Sequence, residues 1–334
     1  MPTSLEKPPW FDQYQALLHG AGLVDFSDRT LVEISGEDRA SFLHNFCTND
    51  IRKLPAGAGC EAFLTSVQGK TLGHVFVFSG PDSLVLETVP GQGQSIVEHL
   101  DRYLIRERVT LADRSGDWGE LFLAGARAER LLAGLTSAPL PQQRLASVEA
   151  ELASPGGVRT WLRRVGITNS TGFLLDCRRE DVAALSHALT RAGAVPCGAA
   201  ALEAARIEAG TPLFGRDISD KNLPQEVARD RLAISFTKGC YLGQETVARL
   251  DALGHVNKAL SGVRFAGPSV PSPGTELSAD GQRAGEVTSA SFSPALGAPL
   301  ALAYVRSGKN APGTRLDSPV GPAEVVPLPL GGFS

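Results

Sequence analysis

Past Lys258 the chain changes texture, and that change restricts its fold more than any other feature. Short apolar runs at 260–265, 285–288, 300–305 and 323–326 are separated by turns rich in proline and glycine. Runs this short, punctuated this often, cannot build core helices, so the last ~75 residues read as a small all-β module, a barrel or a sandwich. The preceding part alternates differently. A short helix is expected near 10–18 and a strand at 31–34. Ser35 then reads as a helix start, with Asp38 as the acid of a capping-box-like first turn and Phe42, Leu43 and Phe46 on one face. Strands are expected at 61–65, 72–78 and 84–89, with turns at Gln68-Gly69-Lys70 and Gly80-Pro81-Asp82. A helix carrying Ile96, Val97, Leu100, Tyr103 and Leu104 follows, then strands at 109–112 and 120–124 and a helix at 127–135. A hairpin over 160–165 and 172–177 and helices at 180–191 and 199–209 complete this part. Strands and helices in that order indicate an α+β architecture with mostly antiparallel pairing.

Composition narrows the function classes. The 334 residues allow two to three domains, and 43% apolar with 20% charged residues is ordinary globular chemistry. A net charge of −4 provides no field for a phosphate backbone or an anionic membrane, so nucleic acid and membrane are not expected partners. The opening segment, 1–9, has two charges, three prolines and no apolar core, unlike a secretion signal. The 19 uncharged residues between Glu286 and Arg306 are too polar and too broken by proline for a spanning helix. Cys47, Cys60, Cys177, Cys197 and Cys240 are odd in number and show no C-x-x-C spacing. Neither a disulfide framework nor a metal site is expected, and a reducing, cytoplasmic setting fits.

The densest unusual segment runs from Thr237 to Arg249. Cys240 stands just before an expected helix start at Gly243, with Lys238 beside it in sequence. Helix dipole and ammonium would both favour its thiolate. Gly239 and Gly243 allow another group to approach the main chain closely. The alternative is a turn in which Cys240 packs as a small apolar residue. Gln244 and Glu245 read as buriable polar neighbours, and Glu245 and Arg249 are spaced to pair along a helix.

The run Lys238-Gly239-Cys240-Tyr241-Leu242-Gly243-Gln244-Glu245 continues with Val247-Ala248-Arg249 and, further on, Gly254-His255-Val256-Asn257-Lys258. With the upstream Leu223-Pro224-Gln225 and Ile234-Ser235-Phe236, it resembles the signature of the YgfZ family. That family comprises folate-binding proteins that assist iron–sulfur cluster assembly or repair. Thr48-Asn49-Asp50-Ile51, Arg206-Ile207-Glu208-Ala209-Gly210 and Gly285-x-Val287-Thr288-Ser289 are similar to blocks of the wider superfamily, which includes the glycine-cleavage T protein, a tetrahydrofolate-dependent aminomethyltransferase. The resemblance implies a three-lobed, aminomethyltransferase-like folate-binding fold around a central channel. Its parts would be residues 1–257, containing a ferredoxin-like middle lobe at about 55–136, and a β-barrel at 258–334.

It further implies a tetrahydrofolate derivative as cofactor, and iron–sulfur assembly machinery or client iron–sulfur proteins as partners. Cys240 would be the working thiol, acting transiently because one thiolate cannot hold a cluster. Lys238, Gly239, Tyr241, Gly243, Gln244, Glu245 and Arg249 would shape its surroundings, and Arg29 and Arg206 would offer charge to the folate. Departures from the aminomethyltransferases matter equally. Their paired aspartates fall here on Gly73 and His74, a folate-contacting acid on Leu174, and an arginine on Leu202. A histidine in an apolar strand reads first as a hydrogen-bonded structural residue and second as a base. These departures favour an accessory protein over a classical enzyme. A true tetrahydrofolate-dependent aminomethyl or methyl transferase, and a scaffold that retains only the fold, stay open.

Overall fold

A computed structural model describes residues 7–152 and 157–331; most of the opening segment 1–9 lies outside them. The alternation at 59–88 forms three antiparallel strands, Gly59–Thr65, Thr71–Ser79 and Ser83–Thr88. Thr30–Ser35 pairs beside the last of these and carries Thr110–Asp113 on its other edge, which makes a five-stranded sheet. Its outer face buries Val32, Ile34, Val77, Leu84 and Leu86 under Leu43 and Leu100 of the helices Arg39–His44 and Gly93–Asp101. A second, six-stranded sheet contains Gly22–Asp25, Trp118–Ala124, Ser170–Arg178, Val158–Thr168 and Ser147–Leu152, with Val195–Pro196 at the edge beside Gly22–Asp25. Helices Ala128–Ala133 and Val182–Arg191 cover its outer face through Ala128, Leu132, Leu185 and Leu189. The inner faces of the two sheets meet through Phe76 and Phe78 on one side and Phe26, Phe122 and Leu174 on the other.

Two expectations shift. Ser35 does not start a helix; it ends its strand, Gly36 turns the chain at φ +105°, and the helix begins at Arg39. The Asp38 side chain, expected in the first turn of that helix, instead accepts the Arg108 backbone N–H at 2.9 Å. The strands within the middle lobe expected at about 55–136 divide between the two sheets. The five-stranded sheet takes Thr30–Ser35 from upstream, while Trp118–Ala124 joins the other sheet.

After Lys258 six antiparallel strands follow in the spatial order Glu276–Ala279, Gln282–Ser293, Ala298–Arg306, Lys258–Phe265, Ala323–Val326, Arg315–Leu316. An antiparallel bridge between Ser278 and Asp317 joins the two ends, closing the barrel around Val263, Phe265, Val287, Ala301 and Val325. The long uncharged stretch is accounted for by two of these strands, and among the described residues no helix is long and apolar enough to cross a membrane.

Buried charge ties the barrel to the rest through helix Ala199–Glu208. Arg206 is 2% exposed and donates to Asp217 at 2.9 Å, to the Thr211 carbonyl at 3.0 Å and to Ser289 Oγ at 2.8 Å. Two residues on, Glu208 accepts from Tyr14 at 2.6 Å and from Ser293 at 2.5 Å. Removing one member of such a set leaves an uncompensated buried charge. Arg206→Ala is therefore expected to lower unfolding stability by about 3–5 kcal/mol, measured by urea denaturation. A loss under about 1 kcal/mol would place this contact among surface ion pairs instead.

Candidate functional site

Between the inner faces of the two sheets, at the end closed by Ala199–Glu208, lies a cavity of ≈ 410 Å³. That is within the ~300–1,000 Å³ of small-molecule sites. Phe26, Phe76 and Leu202 contribute apolar wall, while Arg29, His74 and Glu87 bring polar groups to it. Strand parity decides which of the two paired positions faces it. His74 shares the inner face with Phe76, whereas a Cβ on Gly73 would point at Leu64, 3.4 Å away, in the outer core.

His74 Nε2 lies 2.7 Å from Oε1 of Glu61 on the adjacent strand. Glu61 has no exposed surface. Arg229 donates to both its oxygens, through Nη2 at 2.8 Å and through Nε, and Arg144 donates to Oε2. Burial by itself would raise the carboxyl's pKa, but Arg229 and then His74 outweigh it and hold Glu61 well below the usual carboxylate range. The imidazole stacks on Phe63, 5.1 Å between ring centres, and meets Phe76 edge-on at 6.3 Å.

A second polar cluster lies deeper between the sheets. Arg29 Nε donates to Glu87, and Arg163 pairs with Asp176 at 2.5 Å. Glu120 is 1% exposed and, among the described residues, has no cationic hydrogen-bond donor; burial, then the charges of Glu87 and Asp176, push its pKa well up. Burial raises the Asp176 pKa as well, against the pull of Arg163, so two guanidiniums and three carboxyl groups share this dry interior. Glu87 Oε2 remains a buried acceptor without a partner in the protein.

Arg29 and Arg206 therefore both reach the cavity wall, but neither offers the free cation expected of it. Arg29 is held by Glu87 and stacks near Phe26, and Arg206 belongs to the set that binds the barrel. Leu174 is sealed in the core between the sheets, and Leu202 is part of the cavity wall.

The Cys240 segment sits elsewhere. Cys240 is exposed and is not part of the cavity wall. Lys238 does not serve its sulfur: the buried ammonium donates to the carbonyls of His44 and Cys47 at 2.6 Å and of Asn49 at 2.9 Å. Burial lowers the Lys238 pKa, and its ammonium lies 4.6 Å from the centre of the Tyr241 ring. Tyr241 is buried in the apolar cluster that contains Phe63, so the segment meets the ring that supports His74. Gln244 is half-buried, but Glu245 and Arg249 are exposed and, among the described residues, form no ion pair with each other. Gly239 lies against His44, whose Nε2 would be 3.8 Å from a Cβ there. The close approach expected at Gly243 is made by the chain's own turn. At φ +81°, an added Cβ would lie 2.3 Å from the Ser66 carbonyl oxygen and 2.7 Å from Gly69 Cα.

Glu61, Arg229 and Arg144 were not singled out from the sequence. Glu61 had a signal, an acid inside a strand whose other members are mostly apolar, which demands a partner if buried. Arg229 and Arg144 had none, being 168 and 83 residues away from it along the chain.

With this geometry in view, residues 3–238 match the GCVT N-terminal domain and residues 258–330 the glycine cleavage T-protein C-terminal barrel domain. The chain belongs to the glycine-cleavage T-protein family. An aminomethyltransferase of Symbiobacterium thermophilum is 32% identical over 318 residues, covering 92% of this chain and 84% of the relative. Another, from Geobacillus kaustophilus, is 29% identical over 328 residues, covering 96% and 89%. The crystal structure of the glycine cleavage system aminomethyltransferase T from Bartonella henselae superposes with a TM-score of 0.84 at 22% identity, over 95% of this chain and 88% of that one. This last likeness establishes the three-lobed fold with its terminal barrel.

In this family member Gly243 is a packing device, which makes a clear prediction. Gly243→Ala combines a positive φ with a backbone clash and should lower stability by about 1–3 kcal/mol, measured by thermal and urea unfolding. An unchanged midpoint would show that the segment does not dock on the turn at Ser66–Gly69.

Proposed function

We propose that the central cavity binds a tetrahydrofolate derivative and that the protein works in folate-linked one-carbon chemistry. The cavity carries this reading. It has apolar walls for a planar ring system, and Arg29, His74 and Glu87 bring polar groups to it that can meet the donors and acceptors of a pterin edge. The relatives' activity, aminomethyl transfer, supports the same substrate class. Bound folate would supply the amine that carries the one-carbon unit. This chain's residues would exclude water with Phe26, Phe76 and Leu202 and present His74 where the aminomethyltransferases have an aspartate. An aminomethyl transferase in the family's usual manner needs a carboxylate there. Glu61 comes close but is occupied by two arginines and the imidazole itself.

A second reading, the folate-binding accessory protein for iron–sulfur cluster assembly or repair, is favoured by one observation. Of the five free cysteines, Cys240 alone is exposed. A solvent-facing thiol outside the cavity wall can meet a partner protein while folate occupies the channel. The remaining thiols suit a reducing compartment such as the cytoplasm.

Calorimetry with tetrahydrofolate under anaerobic conditions tests the first reading. The wild type should bind, and Leu202→Trp, which fills the cavity from its wall, should weaken binding at least about tenfold. Binding untouched by that substitution would move the ligand out of the cavity, and no binding by the wild type would end the reading. For the second, Cys240→Ala should keep folate affinity and unfolding midpoint while losing support of iron–sulfur enzyme activity in cells lacking the native protein. Undiminished support would reject the thiol role. Turnover of an aminomethylated carrier with consumption of folate would decide for transfer instead.

A further inference from the structure

We infer that His74 Nδ1 is a hydrogen-bond acceptor in the cavity that selects the reduced, N–H-bearing form of the folate ring. The inference rests on the folate reading and adds to it the residue that distinguishes oxidation states.

The first observation is a fixed tautomer. Glu61 is a carboxylate and only accepts, so the Nε2 that lies 2.7 Å from it carries the proton. In the neutral ring Nδ1 is then a lone-pair acceptor. Exchange of the two nitrogens by ring rotation is blocked. Phe63 is stacked on one face at 29° and Phe76 stands edge-on at 70°. The strand beneath is also held, since Thr88 Oγ1 donates to the His74 carbonyl at 2.6 Å.

The second observation is where Nδ1 looks. Among the described residues it makes no hydrogen bond, yet it is absent from the polar atoms sealed away from solvent without a partner, although the residue is only 9% exposed. His74 lines the cavity, so that small exposure is onto the ligand space. The guanidiniums that share Glu61 with the imidazole, Arg229 and Arg144, are engaged by its carboxylate oxygens.

Chemistry then chooses the ligand. An aspartate in this place would carry a full charge and attract any donor or cation. A neutral imidazole nitrogen is directional: it rewards an N–H and opposes another lone pair. The reduced pteridine ring of tetrahydrofolate carries N–H at N5 and N8, whereas in folic acid both nitrogens are bare acceptors. A site built to receive an N–H rejects the analogue that lacks it, because its own polar atom is then left unpaired.

Two substitutions separate this role from a structural one. His74→Gln can still reach Glu61 with its amide but has nothing at the Nδ1 position. His74→Asn places an amide near Nδ1 but cannot reach Glu61. Anaerobic calorimetry with tetrahydrofolate and with folic acid, alongside thermal unfolding, reads both. The wild type is expected to prefer tetrahydrofolate by about tenfold or more. His74→Gln should unfold near the wild-type temperature and lose that preference, and His74→Asn should unfold earlier and keep part of it. A wild type that binds both ligands equally, or a His74→Gln that keeps the preference, overturns the inference while leaving folate binding intact. Failure of the wild type to bind either ligand instead removes the folate reading itself, and this inference with it.

Discussion

One buried carboxylate holds together parts of the chain that are far apart in sequence. Glu61 receives His74 from the neighbouring strand, Arg144 from the connector before Ser147–Leu152, and Arg229 from the segment ahead of the Cys240 motif. A carboxylate sealed from water is tolerated only when its lone pairs are met and its charge is balanced. The three partners are thus obliged to converge, and their convergence fixes His74, the one of them that lines the cavity. The imidazole's tautomer and direction are consequences of the same contact.

Around that point the fold separates two kinds of chemistry. The inner faces of the sheets hold a cluster of carboxyls and guanidiniums that reaches the cavity through Arg29 and Glu87, while Phe26 and Phe76 add aromatic wall. The barrel is fastened at the far end of helix Ala199–Glu208 by Arg206 and Glu208, so Arg206, like Arg29 with its Glu87 contact, is structural where it reaches the cavity wall. The Cys240 segment lies outside, seated on the turns at 45–49 and 66–70 through Lys238 and Gly243. Its tie to the cavity is indirect, through Tyr241 and Phe63.

Much of this was legible from local pattern. Apolar runs bounded by turn residues located the strands at 59–88 and the hairpin Val158–Thr168 with Ser170–Arg178 to within a few residues, because most residues of these strands are buried. An all-β end was visible in its Gly- and Pro-spaced runs, though those runs left barrel and sandwich open. What escaped depends on distant partners. Asp38 looks like the acid of a first helical turn until Arg108, 70 residues on, draws it away. Lys238 stands beside Cys240 in sequence, yet its long side chain turns inward to three carbonyls about 190 residues earlier. No local rule places an ammonium there, so sequence adjacency misassigned its charge to the thiol. His74 was readable as a hydrogen-bonded histidine, but not Glu61 as its partner.

A crystal structure of the protein grown with tetrahydrofolate tests this account most directly. The account predicts density for the pteridine ring in the cavity between Phe76 and Leu202, with one ring nitrogen within hydrogen-bond distance of His74 Nδ1 and Glu61 still bound to Nε2. An empty cavity at saturating ligand, or a ring bound on the Cys240 face with His74 turned from the channel, would contradict it.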